Sequence, residues 1–466
     1  MVFVTSGAVL VLEILAGRLM APFVGVSLET FTGIIGTILA GIAFGSALGG
    51  QMADRHDPAK MIGPSLIAGG ILAWFSIPIV AWIGPGVGSD IPAIVMLALF
   101  GFFPSAMVLS AIGPMVAKLR LQSLDETGEV VGGLSAAGTA GALFGTFFTG
   151  FVLVAAVPTR PIIVAVGVGL VAWGVFETTR RGSGRPTIGV GVLALGVLGL
   201  TSISPNPCEQ ESAYACVRVV TDPDNESLRF LILDTLRHGA VDLDDPTHLE
   251  FRYINIIGDA IDALPPGPID ALHVGGGAFS VPNYINATRP GSTNLVLEID
   301  PLLVDIGEEQ LGLETGPDLE IITGDARLAL ADLPDDAYDL IVGDAFGGLS
   351  IPWHLTTTEF IAELDRVLRP GGLYVMNTID GDQNRFVEAE LATLAEHFDF
   401  RTAYVPEDWP STGPVNQILV TSDQPLPDIN VEPVHGVEVP DIDAFTEDGV
   451  ILRDDFAPVE QLGARL

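Results

Sequence analysis

Before Pro205 the chain is a succession of apolar stretches, each near the ~20 residues that a helix needs to cross a hydrocarbon core of ~30 Å. Seven are delimited by charge and turn residues, over 2–20, 30–50, 61–83, 91–113, 133–157, 160–176 and 187–203. They predict a polytopic helical domain over 1–205, with the lipid bilayer as its partner, the last two spans being the shortest. The first stretch has no basic start and runs through Glu13 and Arg18 toward another span. It is therefore expected to stay attached rather than to be cleaved as a signal peptide.

Charge divides the chain along the same line. Up to Pro205 there are nine acidic and nine basic side chains, so the whole formal charge of -37 lies after it. Lysine occurs only as Lys60 and Lys118. An Asp/Glu-saturated surface of this kind is expected of a protein kept hydrated and monodisperse in very high salt, the alternative being a polyanion that binds cationic partners. Nucleic acid is disfavoured as a partner.

Within the apolar half, Gly41, Gly45, Gly49 and Gly50, and again Gly138, Gly141, Gly145 and Gly150, sit at spacings that let helix backbones approach closely. Glu13 lies deep in an apolar span, where a carboxylate is costly unless paired or facing a polar cavity. Arg18 follows it by five positions, roughly 140° around the helix, so either residue is expected to find a partner on another segment. Basic residues collect in alternate loops, at Arg55 and Lys60, Lys118 and Arg120, then Arg180, Arg181 and Arg185. The positive-inside bias places those loops in the cytoplasm and, with seven spans, the rest of the chain outside. Cys208 and Cys216, the only cysteines, follow the last span and are spaced to form a disulfide or to remain as two thiols. One span fewer or more would instead return the rest of the chain to the cytoplasm, so both sides are carried forward.

From residue 217 the pattern changes. Short runs over 217–221, 228–233 and 240–241 predict a small β-region. Strands over 271–274, 294–299, 319–322, 340–342 and 373–377 then alternate with helical segments, which predicts a doubly wound, Rossmann-like α/β domain over 206–422. Runs over 401–405 and 417–421 suggest a closing antiparallel pair. A Pro- and Asp-rich tail over 423–466 is expected to be mostly irregular.

The first of these strands runs into Gly275, Gly276 and Gly277, where missing side chains let backbone N–H groups approach a ligand at the sheet's carboxyl edge. About twenty residues on, the next strand ends in Glu298, Ile299 and Asp300, where such folds place a carboxylate for ribose hydroxyls. Further strand ends carry Asp325 with Ala326, and Asp344 with Ala345. Acidic groups at successive strand ends specify a nucleoside pocket, although Asp325 or Asp344 taken singly also reads as a helix N-cap. No zinc-protease, Cys-x-x-Cys, Walker or nucleophile-elbow pattern is present in the sequence, and no metal is indicated.

With these pieces in order, residues 211–421 resemble the spermidine synthases and their membrane-fused relatives, which share a class I methyltransferase-like fold. The resemblance rests on Glu211 to Tyr214 as the opening Glu-x-x-Tyr, on Leu233 and Asp234 as the Leu-Asp turn, and on the three glycines. Glu298, Asp300, Asp325 and Asp344 complete it, with Arg369 to Gly372 as a turn before the next strand. The apolar half resembles the fused relatives through Leu12 to Ile14, Arg18 to Pro22, and Gly49 to Arg55.

The resemblance implies a transferase that moves an aminopropyl group from decarboxylated S-adenosylmethionine to an amine. Asp344 is implied as the base, Tyr253 as a second catalytic residue, and Gly275 to Gly277, Glu298, Asp300, Asp325 and Ala326 as the nucleoside site. Glu211, Tyr214, Asp234 and His354 are implied or suggested as substrate contacts. The chain departs from the family where Ala278 replaces the Asp after the glycines, Ala215 the Gln after the opening Tyr, and Ile254 and Asn255 the His and Glu after Tyr253. The continuation after Asp344 also differs, which points to a different acceptor. Two further readings stand beside this one: methyl transfer from S-adenosylmethionine, and an extracytoplasmic domain acting on a membrane-presented substrate without a nucleoside cofactor. Self-association as a homodimer is compatible with the sequence and not read from it.

Overall fold

The structure is a computed structural model; it describes all residues except 89, 122, 182–187, 382, 408–412, 447–448 and 464–466. It divides into two compact units, Met1–Arg218 and Val219–Leu466.

The first unit is helical: α1 (Val2–Val24), α2 (Leu28–Arg55), α3 (Pro58–Ile83), α4 (Ile91–Gly101), α5 (Phe103–Ser110), α6 (Ile112–Arg120), α7 (Thr127–Phe148), α8 (Val154–Ala156), α9 (Thr159–Arg180) and α10 (Ile188–Ile203). Asp57 and Asp90 cap the N-termini of α3 and α4 through their side chains. Five helices are long and apolar enough to cross a membrane, and a sixth span arises if Ile91–Gly101 and Phe103–Arg120, bent by 47°, count as one. The seventh expected span is the shorter apolar helix Gly189–Ile203. Arg185 and Thr187, which the sequence assigned to the preceding loop and to the start of this span, lie outside the described residues.

The glycines explain how the helices meet. A Cβ on Gly45 or Gly49 of α2 would overlap the carbonyls of Met107 and Ala111, and one on Gly141 of α7 that of Phe3. Gly50 and Gly150 have open space or ordinary contacts around them instead. Arg18 of α1 is paired away from Glu13: its guanidinium donates to the carbonyls of Ala213, at 2.8 Å, and Ser212. Glu13 Oε2 has no hydrogen-bond partner among the described residues.

Arg160 on α9 donates to the carbonyls of Ser204, at 3.0 Å, and Pro205. The Glu211 carboxylate accepts the Thr159 N–H at the start of the same helix, at 2.8 Å. A Cys208–Cys216 disulfide closes the segment. These ties fasten residues 204–216 to helix ends, which is why the division falls after Arg218 rather than after Pro205. It falls inside β2 (Cys216–Thr221), whose first residues pair antiparallel with β1 (Gln210–Glu211).

In the second unit β3 (Leu228–Leu233) and β4 (Leu236–Asp242) form an antiparallel hairpin. There follow α11 (Arg252–Ala263), β5 (Asp270–Val274), α12 (Ser280–Thr288), β6 (Thr293–Glu298), α13 (Pro301–Gln310), β7 (Leu319–Thr323), α14 (Ala326–Leu330), β8 (Tyr338–Gly343), α15 (Thr358–Val367), β9 (Leu368–Asp380), α16 (Arg385–Leu394), β10 (Phe400–Val405) and β11 (Val415–Ser422). With β12 (Val437–Glu438) the strands make one sheet in the order β12-β10-β11-β9-β8-β5-β6-β7. Strands β5 to β9 are parallel, and β11 returns antiparallel against β9 and β10.

Successive residues of a strand point to opposite faces, so each central strand feeds two cores. Ile341, Tyr374 and Met376 pack with Phe360, Leu364 and Phe386 on one face. Leu340, Leu373 and Val375 pack with Ile257, Ile261 and Ile285 on the other. Strand order reverses at β5, which has β6 on one side and β8 on the other, and this opens a crevice at the carboxyl edge.

Most of the described tail lies outside helices and strands, as its Pro and Asp content predicts, yet it is anchored. It adds β12 to the sheet edge beside β10, forms short helices α17 (Ile442–Thr446) and α18 (Val459–Leu462), and buries Leu452 and Val459 in the core. Apolar residues spaced through an acidic sequence supply that anchorage.

Candidate active site

The crevice is built on the loop after β5. Gly275 has φ 99°, and a Cβ there would stand 2.6 Å from the Asp344 carbonyl oxygen, so only glycine lets the β5 and β8 ends lie this close. A Cβ on Gly276 would meet the Phe279 ring at 2.6 Å and Glu298 Oε2 at 3.1 Å. Phe279, fully buried, floors the loop, and its N–H donates to the Gly276 carbonyl at 2.8 Å. β4 runs past the loop, with Gly239 against Ala278 and the His238 carbonyl beside Gly277.

Glu298 ends β6 in a buried position. Its Oε2 accepts the Gly276 N–H at 2.7 Å and its Oε1 the Asp300 N–H at 2.9 Å. Burial pushes this carboxyl up from its ordinary value, against the pull of those N–H groups. A carboxylate has about four acceptor positions, so it retains capacity for hydroxyl donors while the glycine loop is locked to it. Asp300 is buried and accepts the Leu302 N–H at 3.0 Å, capping α13.

Asp325 also caps: its Oδ1 accepts the Arg327 N–H at 2.9 Å, with Ala326 as the first residue of α14. Its Oδ2 lies 3.3 Å from His354 Nε2. The cap and the site readings of Asp325 therefore coexist, one on each oxygen.

Asp344 follows β8 and caps no helix. Its Oδ1 accepts an Nδ2–H of Asn377 at 2.7 Å, and Asn416 donates to Asn377 Oδ1 at 3.0 Å, which fixes the orientation of the amide. Burial pushes the Asp344 carboxyl up to about 6, opposed by the Asn377 hydrogen bond. Tyr253, the second residue of α11, is near enough that the Asp344 charge adds to burial in holding its phenol well above the ordinary value. Tyr253 stacks on Phe251 at 5.9 Å.

The structure thus gathers Gly275, Gly276, Gly277, Glu298, Asp300, Asp325, Ala326, Asp344, Tyr253 and His354 at or beside one sheet edge. Asp234 occupies the β3–β4 turn with φ 52°, up the hairpin from the contact of β4 with the glycine loop. Glu211 and Tyr214 belong to the helical unit, where Glu211 meets the α9 N-terminus and Tyr214 is 52% exposed. Sequence reasoning missed Asn377 and His238. The His238 imidazole is pushed down to about 4 by burial, which keeps it neutral beside the loop. Asn377 has a signal in hindsight, as an amide directly after the apolar run 373–376 of β9.

No family model matches the chain. Over 205 residues it is 30% identical to a polyamine aminopropyltransferase from Vibrio vulnificus, a span that is 43% of this chain and 68% of that protein. It is 28% identical over 170 residues to a polyamine aminopropyltransferase from Chromobacterium violaceum, covering 36% of this chain and 63% of that one. Among solved structures, a probable spermidine synthase from Corynebacterium glutamicum superposes with a TM-score of 0.50 at 24% identity, over 55% of this chain and 99% of that one. That likeness concerns the fold. The sequence match, over two thirds of the Vibrio protein, carries the assignment further: this chain belongs to the polyamine aminopropyltransferase family.

Proposed function

We propose that the second unit transfers an aminopropyl group from decarboxylated S-adenosylmethionine to an amine. The observation that carries this reading is Asp344, a carboxyl raised to about 6 at the inner end of the glycine-loop crevice, with its orientation fixed by Asn377. The donor supplies an electrophilic methylene beside a sulfonium, with methylthioadenosine as leaving group. The C–N bond forms as the C–S bond breaks, and the nitrogen sheds one proton.

Asp344 receives that proton, for which a base titrating near the working pH is well matched. Gly275 to Gly277 bring backbone to the donor, Glu298 accepts from its ribose hydroxyls, and Asp325 with His354 bounds its base. Tyr253, with its phenol kept protonated, contributes a neutral hydrogen-bonding wall beside Asp344. The rest of the rate comes from in-line positioning in a desolvated cleft. The acceptor is an amine other than the family's usual one, because Ile254 and Asn255 stand in place of the His and Glu. Asn255 turns inward on its own helix start, donating to the Leu249 and Phe251 carbonyls.

We further propose that the helical unit spans the bilayer and that the chain after α10 lies on the non-cytoplasmic side. Arg55, Lys60, Lys118, Arg120, Arg180 and Arg181 occupy the helix ends opposite those that Arg160, Glu211 and the Ser204 and Pro205 carbonyls bring together. A disulfide on the far side agrees with an oxidising compartment. On this reading the donor must reach that face.

The test of the reaction is product analysis with purified full-length protein, an amine panel and each of the two sulfonium donors. Aminopropylated amine and methylthioadenosine from the decarboxylated donor are expected. Methylated product from S-adenosylmethionine, with none from the decarboxylated donor, would replace this reading with the less supported methyl transfer.

A further inference from the structure

We infer that the C-terminal tail builds one wall of the donor pocket, with Asp454 as a positioning residue that acts through Arg327 on His354 and Asp325. The inference rests on the reading above that the donor's base lies against Asp325.

The contacts close into a ring. Arg327 Nη1–H and Nη2–H donate to Asp454 Oδ1 and Oδ2 at 2.7 and 2.6 Å, a two-pronged pairing that fixes the plane of the guanidinium. The same Nη1 also donates to the His354 carbonyl at 2.9 Å and reaches Thr357 Oγ1 at 3.2 Å. Thr357 Oγ1–H in turn donates to Asp454 Oδ1 at 2.8 Å. His354 directs Nε2 to Asp325 Oδ2 at 3.3 Å, and Asp325 Oδ1 returns to Arg327 through its N–H. One aspartate from the tail therefore sets the backbone height of the β8–α15 loop at His354, and with it the imidazole that faces Asp325.

The tail is itself anchored, so Asp454 is delivered to a defined place. Leu452 is fully buried, its carbonyl accepts the Thr358 N–H at 2.9 Å, and its N–H donates to Thr393 Oγ1 at 2.9 Å. The Asp454 N–H donates to Glu359 Oε2 at 3.1 Å. The guanidinium holds the Asp454 carboxyl below the usual range, which favours the charged form that the pairing uses. Neither Arg327 nor Asp454 touches Asp344 or Asn377 in any of these contacts, so the base should be indifferent to them.

The experiment measures methylthioadenosine binding and donor steady-state kinetics for full-length protein and for Asp454→Asn, Arg327→Gln and the double variant. Each single variant is expected to bind roughly tenfold more weakly, the size of one lost charge-assisted contact. The double variant should be no worse than either single, because the two residues act as one unit. KM for the donor rises while kcat at saturating donor is kept. Arg453→Gln, at a neighbouring tail position whose nearest carboxylate is Glu396 at 3.7 Å, should bind as the parent does. Unchanged binding in both single variants, or losses that multiply in the double variant, overturns the clamp. A variant that misfolds shows as a fallen kcat as well, and if both singles do so while Arg453→Gln does not, the role is structural and the inference is wrong. Absence of binding by the parent protein contradicts the aminopropyl-transfer reading itself.

Discussion

Asn377 donates one amide N–H to Asp344 Oδ1 at 2.7 Å while its own oxygen accepts from Asn416 at 3.0 Å, so the amide cannot flip without losing both contacts. The arrangement pulls the Asp344 carboxyl down against burial and leaves it at about 6. A base must be deprotonated to accept, so the enzyme-controlled limb of kcat/KM should rise with pH through about 6 and level off above it. Asn377→Leu removes the opposing hydrogen bond and should move that inflection upward by about one pH unit, as expected for a hydrogen bond to a charged group. Rate profiles of the two proteins check this, and an inflection that stays put or moves down would contradict the assignment.

A second carboxyl has no evident part in the chemistry. Glu390 in α16 is fully buried, and neither of its oxygens has a partner among the described residues. Burial holds it well above its ordinary value. The folded state thus keeps a proton that the unfolded chain releases above pH ~4.3. By linkage, stability is fully present below that pH and declines as pH rises toward the folded value. Glu390→Gln should therefore leave the melting temperature unchanged at pH 4 and raise it by a few degrees at pH 8. A variant less stable than the parent at both values would show that Glu390 has a partner after all.

The thiols report sidedness. With Cys208 and Cys216 joined, membrane-impermeant maleimide should label neither in intact cells until a reductant is added. Labelling that requires lysis places this segment in the cytosol and overturns the proposed topology, while leaving the chemistry of the second unit as it stands.

Much of this architecture is legible in the sequence because it depends on local signals. Apolar runs of membrane-spanning length precede Pro205, glycines follow β5, and acids close β6, β7 and β8, so both units and the crevice can be drawn before any contact is known. What stays hidden depends on residues far apart in the chain. Glu211 carries no sign in the sequence that its carboxylate accepts the Thr159 N–H, from a helix 52 residues earlier. Asp454 reads as one more acid in an acidic tail until Arg327, 127 residues away, is found in its grip. Asp325 shows how a pattern can support two roles, since one oxygen caps α14 and the other faces His354. Asn377 and His238 carry no motif, and only the sheet order brings the first to Asp344 and the hairpin the second to the glycine loop.

The central claim is that Asp344 takes the acceptor's proton in aminopropyl transfer, and the most direct measurement is turnover by Asp344→Asn at saturating donor and amine. Loss of a general base predicts a fall of roughly a hundredfold or more in kcat, with methylthioadenosine binding kept within about threefold because the contacts at Glu298 and Asp325 are untouched. Turnover by Asp344→Asn close to that of the parent would contradict the account.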